Sequence, residues 1–158
     1  SALRRDIDSP AGQISIYSAG PEGQAKALPP LLLVHSINAA ASAAELLPLF
    51  EHYRQHRWVY ALELPGFGFS DRSDRAYSPR LMTDALHAVL AFIKSEQNGQ
   101  AADVLAVSLS GEFAARAKCE ARKAFGELRL SAPLDLAAVN GAMVPPVAPW
   151  VCLGFTDY

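Results

Sequence analysis

Between Leu31 and Leu130, short apolar runs alternate with longer stretches in which apolar residues recur at helical spacing. Leu31-Leu-Leu-Val34, Trp58-Val-Tyr-Ala-Leu62 and Val104-Leu-Ala-Val107 are almost wholly apolar. That pattern predicts strands covered on both faces, as in a parallel sheet. Leu128-Arg-Leu130 begins a fourth such strand. Upstream, Gln13-Ile-Ser-Ile-Tyr17 alternates polar and apolar, the period of a half-buried strand. The stretch from Gly20 to Pro30 reads as a loop.

Three helices are predicted between the strands. Ser42-Ala-Ala-Glu45 has the form of a capping box, with Leu46, Leu47, Phe50 and Tyr53 as the apolar stripe behind it. Pro48 either kinks that helix or delays its start. Ser78-Pro79 is a cap followed by proline at the first helical position. Met82, Leu86, Val89, Leu90 and Ile93 follow, and Asn98-Gly99 stops the helix. Glu112–Lys123 is rich in alanine and other helix formers. Strand and helix in alternation predict a single α/β domain with a mostly parallel sheet.

Composition narrows the function classes. Of 158 residues, 51% are hydrophobic and 19% charged, enough to build a core. A net charge of −2 gives no reason to expect nucleic acid or an anionic membrane as partner. Cys119 and Cys152 form neither a disulfide scaffold nor a metal-ligand pattern, so a cytoplasmic setting is expected. The first eight residues lack the apolar core of a secretory signal. Residues 131–158 stand apart: Asp135 and Asp157 are their only charged side chains, and they have no clear periodicity. The 21 uncharged residues between those two aspartates include Pro145, Pro146 and Pro149, which argue against a membrane-spanning helix.

The stretch with the most chemical content is Ala106-Val107-Ser108-Leu109-Ser110, between the third apolar strand and its helix. It fits small-x-nucleophile-x-small, the relaxed form of the nucleophile elbow. The turn is tight, so positions two before and two after the nucleophile must be small. Ala106 and Ser110 satisfy this around Ser108, whereas centring on Ser110 would put Glu112 at a small site. The helix that follows would aim its N-terminus at developing negative charge. The alternative is that Ser108 only ends a strand and caps a helix.

Two further strand ends bear on this. Val34-His35-Ser36-Ile37-Asn38 closes the first apolar strand, and Leu64-Pro65-Gly66-Phe67-Gly68-Phe69-Ser70 closes the second. With the elbow, they make residues 10–130 resemble the α/β-hydrolase superfamily, nearest to bacterial serine hydrolases of the proline-iminopeptidase and esterase type. The resemblance implies a three-layer sandwich and an acyl-enzyme mechanism, with no metal or other cofactor, on a small ester, amide or lactone. It implies Ser108 as nucleophile and the backbone amides of Ile37 and Leu109 as oxyanion hole. His35 is expected to be structural. Ser36 stands where the family has glycine, and Glu63 where it has aspartate. Gly66 and Gly68 are not a dinucleotide fingerprint, because Asp71 occupies the third glycine position.

The family's order is Ser, then acid, then His. Here His35, His52, His56 and His87 all precede Ser108, and none follows. Asp135, just beyond the fourth apolar strand, is the acid candidate that the resemblance offers. The expectation is a core over residues 1–130 lacking the fold's last strands, with 131–158 unassigned. An open sheet edge would then favour a homodimer. The competing reading is a non-catalytic hydrolase-like domain, or a truncated fragment, used for binding or assembly. His52, His56 and Arg57 read as surface residues at a helix end, and Arg72, Asp74 and Arg75 as a solvated loop.

Overall fold

The protein is described by a computed structural model covering residues 2–21, 28–121 and 125–131. Its strands are β1 (Leu3–Ser9), β2 (Gly12–Ala19), β3 (Leu31–Val34), β4 (Val59–Leu62), β5 (Ala102–Val107) and β6 (Phe125–Ser131). They form one sheet in the order β1-β2-β4-β3-β5-β6. The β3–β4, β3–β5 and β5–β6 pairs are parallel, and β1–β2 and β2–β4 are antiparallel. The predicted elements are all present, and β1 is an addition that the apolar pattern did not reveal.

The apolar runs are explained by two cores. Leu32, Val34, Tyr60, Leu62, Val104 and Ala106 face helices α2 (Pro79–Glu96) and α3 (Ser110–Glu120) on one side. Leu31, Leu33, Val59, Ala61, Leu105 and Val107 face helix α1 (Leu47–Tyr53) on the other. Adjacent residues thus point to opposite faces and both faces are covered, giving the expected three layers.

Local signals act largely as the residues imply. Ser78 caps α2, its Oγ accepting from the Leu81 N–H at 3.2 Å. Asn98 and Gly99 end that region with φ of 54° and 84°, and the Gly99 N–H returns to the Lys94 carbonyl at 2.8 Å. Pro48 sits at the start of α1, preceded by a 3₁₀ turn over Ala43–Leu46, so it delays the α-helix rather than kinking it. The capping box is only half formed. Ser42 Oγ accepts from the Ala44 N–H at 3.3 Å, but the Glu45 carboxylate turns elsewhere. Helix α3 begins at Ser110, two residues before the predicted start, and ends at Glu120. Among the described residues, no helix is long and apolar enough to cross a membrane.

The strand order reverses between β3 and β5. From β3 the chain passes over one face to β4, and from β5 over the other face to β6. Ligands of open α/β sheets bind in the crevice beyond the strand ends at such a switch point. The sequence elements singled out above lie there: Ser36–Asn38 follow β3 and Ser108–Leu109 follow β5.

Candidate active site

Ser108 adopts φ of 58°, the left-handed region that a residue with a side chain rarely occupies. This is the sharp strand-to-helix bend that the small residues at 106 and 110 predict. Its side chain is exposed. The N-cap position of α3 belongs to Leu109, and no side chain caps that helix. Ser108 is therefore not a capping serine. Ser110, fully buried, donates its hydroxyl to the His35 carbonyl at 2.5 Å, joining the start of α3 to the end of β3. Its small size and its hydroxyl both serve the bend.

Across the switch point, Ser36 needs no glycine-like backbone, since its φ is not positive. Glu45 Oε2 accepts both the Ser36 N–H, at 3.0 Å, and the Ser36 hydroxyl, at 2.8 Å. Asn38 Nδ2 donates to the same hydroxyl at 2.7 Å, and Asn38 Oδ1 accepts from the Ala40 N–H at 3.0 Å. Ile37 lies between these two anchored residues. Among the described residues, neither the Ile37 nor the Leu109 amide donates a hydrogen bond. Leu109 stands at the N-terminus of α3, and Ile37 follows the end of β3 across the switch point.

His35 is wholly buried. Its Nε2 accepts from the Leu64 N–H at 3.1 Å, so Nδ1 carries the proton and donates to the Ser36 carbonyl at 2.6 Å. Burial pushes this imidazole below its ordinary value, only partly opposed by the Ser36 hydrogen bond. With both nitrogens engaged by backbone, it is a structural residue tying the β3 end to the β4 end. Phe67 meets its ring edge-on at 5.0 Å.

Glu63 is also structural. It is buried, accepts from the Phe69 N–H at 2.6 Å, and fills the space beneath Gly68, whose φ is 51°. A Cβ at Gly68 would come within 2.1 Å of the Glu63 carboxylate oxygens. The loop is pinned to β2 by Ser70, which accepts from the Ser15 N–H and donates to the Glu63 carbonyl. Arg75 is not a freely solvated residue: it donates to the Ala11 carbonyl and pairs with Asp71.

The other histidines lie away from Ser108. His52 and His56 close the far end of α1, shortly before β4 begins at Val59, hence on the opposite rim of the sheet, roughly 13 Å away for strands of this length. His87 is paired with Glu120 at 2.8 Å, at the C-terminal end of α3. That places it on the order of 15 Å down the helix from Ser110. Asp135 lies outside the described residues. Arg57 corrects the surface reading. Its side chain is 11% exposed, donates to the Pro29 carbonyl at 2.5 Å, and pairs with Asp103 at 2.5 Å. Among the described residues, no His, Cys, Asp and Glu cluster could hold a metal ion.

No protein-family model and no curated protein matches this sequence. Solved structures do match, and they have the α/β-hydrolase fold. A serine hydrolase involved in carbazole degradation superposes with a TM-score of 0.68 at 17% identity, over 87% of this chain and 51% of its own. An epoxide hydrolase from an endophytic Streptomyces gives 0.66 at 21% identity, over 82% and 36%. An α/β serine hydrolase without lid from Xanthomonas campestris gives 0.62 at 15% identity, over 77% and 57%. The fold of this chain is accordingly that of the α/β-hydrolases, and the chain spans from about a third to somewhat over half of these matched structures.

Proposed function

We propose that this chain carries the nucleophile and oxyanion hole of a serine hydrolase that acts on a small ester, amide or lactone. Ser108 Oγ attacks the acyl carbon, and its proton passes to a base. The Ile37 and Leu109 N–H groups hold the oxyanion, the alcohol or amine leaves, and water releases the acyl group from Ser108. Epoxide opening in this fold needs an aspartate nucleophile, and a serine at the bend favours acyl transfer instead. The supporting observation is the bend itself: a left-handed serine with an exposed side chain, followed by the unpaired Leu109 amide, at the sheet's switch point.

None of the chain's four histidines is the base in this reading, and Asp135 remains the acid that the family resemblance offers. The distance of the imidazoles favours a second reading, a hydrolase-like domain that binds or assembles without turnover. In either reading two copies pair along β6, which has β5 as its one neighbour among the described residues. A clean monomer by light scattering would count against that pairing.

A fluorophosphonate probe decides between the two readings. The first predicts labelling that added imidazole accelerates and that Ser108→Ala abolishes. A folded chain that takes no label overturns it in favour of the second.

A further inference from the structure

The geometry points to Glu45 as the positioning residue of the oxyanion hole, acting through Ser36. This rests on the serine-hydrolase reading above. A glutamate at the third position of a capping box ordinarily returns to the N-cap amide. Here Ser42 caps alone, and Glu45 Oε2 instead takes the N–H and the hydroxyl of Ser36. Those two bonds fix the residue before Ile37. The hydroxyl accepts in turn from Asn38 Nδ2, which fixes the residue after it. The Ile37 amide is thus held from both sides while remaining unpaired itself among the described residues.

A charged acceptor shared by two donors makes short, strong bonds, and preorganised donors are worth most when nothing must move as charge develops. Serine at position 36 then has a use that glycine could not serve. Its hydroxyl relays the carboxylate to Asn38. Glu45 touches neither the nucleophile nor, in this reading, the acyl group.

The test measures fluorophosphonate labelling of Ser108 over a range of probe concentrations, for wild type, Glu45→Ala and Glu45→Gln. Removing an oxyanion donor outright costs about 10²–10³-fold in rate, so loosening one should cost about tenfold. Glu45→Ala should lower the saturating labelling rate by about that factor and leave the half-saturating probe concentration unchanged. Glu45→Gln, which keeps a carbonyl oxygen as acceptor, should recover most of the rate. Amide hydrogen exchange should quicken at Ser36 in Glu45→Ala. A residue that only starts the helix would lower thermal stability without moving the labelling rate of folded protein. If wild type labels and Glu45→Ala labels equally fast, the Glu45 role is wrong and the hydrolase reading stands. If wild type does not label, both fail together. Unchanged exchange at Ser36 removes the positioning role whatever the chemistry does.

Discussion

At the N-terminal ends of β3, β5 and β6, charge and backbone are tied together. Arg57 binds the Pro29 and Pro30 carbonyls and Asp103, and Asp103 accepts from the Glu127 N–H at 2.7 Å. At the C-terminal ends of β3 and β5, the Ile37 and Leu109 amides and the Ser108 side chain bond to no described residue. The polar groups that are satisfied there sit one layer back: His35, Ser36, Glu63 and Ser110. The same strands therefore end in a clamp on one side and in a supported set of open donors on the other. An unpaired amide is tolerable where solvent reaches it, and Leu109 is 48% exposed. Stability and chemistry should separate along the strand axis.

The largest stability effect should come from the clamp. Arg57 and Asp103 are 11% and 14% exposed, so Arg57→Met leaves a mostly buried carboxylate without its cation. The expected loss is about 2–3 kcal/mol in urea denaturation. Labelling of Ser108 per folded molecule should not change. A labelling loss beyond the unfolded fraction would show that the two rims are not independent.

A smaller effect belongs to His35, which joins the rim to the core. Burial lowers its folded-state value below the unfolded one, so the unfolded chain binds the extra proton first as pH falls. Stability is therefore full above the unfolded value of about 6.5 and declines as pH drops toward the folded value. The contribution of one proton is at most about 1.4 kcal/mol per pH unit. His35→Asn should be less stable at neutral pH and show a shallower decline between pH 7 and 5.5. By nitrogen NMR, wild-type His35 should keep the neutral Nδ1–H form to lower pH than a free imidazole does. A ring that takes up its proton at higher pH than a free imidazole would contradict its two backbone hydrogen bonds.

The sheet centre was legible because β3, β4 and β5 are covered on both faces, which writes continuous apolar runs into the chain. Strand β1 was not. It is an edge strand whose inward face carries Arg5 and Ile7, with Arg5 lying over the Phe92 ring at 4.8 Å and paired to Glu96 at 2.7 Å. An arginine stem does there what an apolar side chain would do, and the alternation disappears from the hydropathy pattern. The Ser108 bend was legible because its steric demand is local. The bonds of Glu45, Arg57 and the Ser110 hydroxyl were not, since their partners lie 9, 46 and 75 positions away. Glu45 looked like a helix cap and Arg57 like a surface cation because sequence spacing reports only near neighbours.

The smallest effect tests the bend directly and should carry the opposite sign for stability and for chemistry. A serine with φ of 58° pays a conformational cost that glycine avoids. Glycine also widens the choices of the unfolded chain, which offsets part of the gain. Ser108→Gly should therefore raise stability modestly, by about 0.5–1 kcal/mol, as an increased urea midpoint with unchanged slope, while fluorophosphonate labelling vanishes. Few exposed positions would gain from losing a side chain. One that does holds its residue against local preference, and the gain measures what that placement costs. Ser108→Ala is the control, because alanine removes the hydroxyl yet keeps the Cβ that the left-handed backbone disfavours. It should lose labelling without gaining stability. If glycine and alanine leave stability equally unchanged, the bend is not strained and position 108 is an ordinary turn.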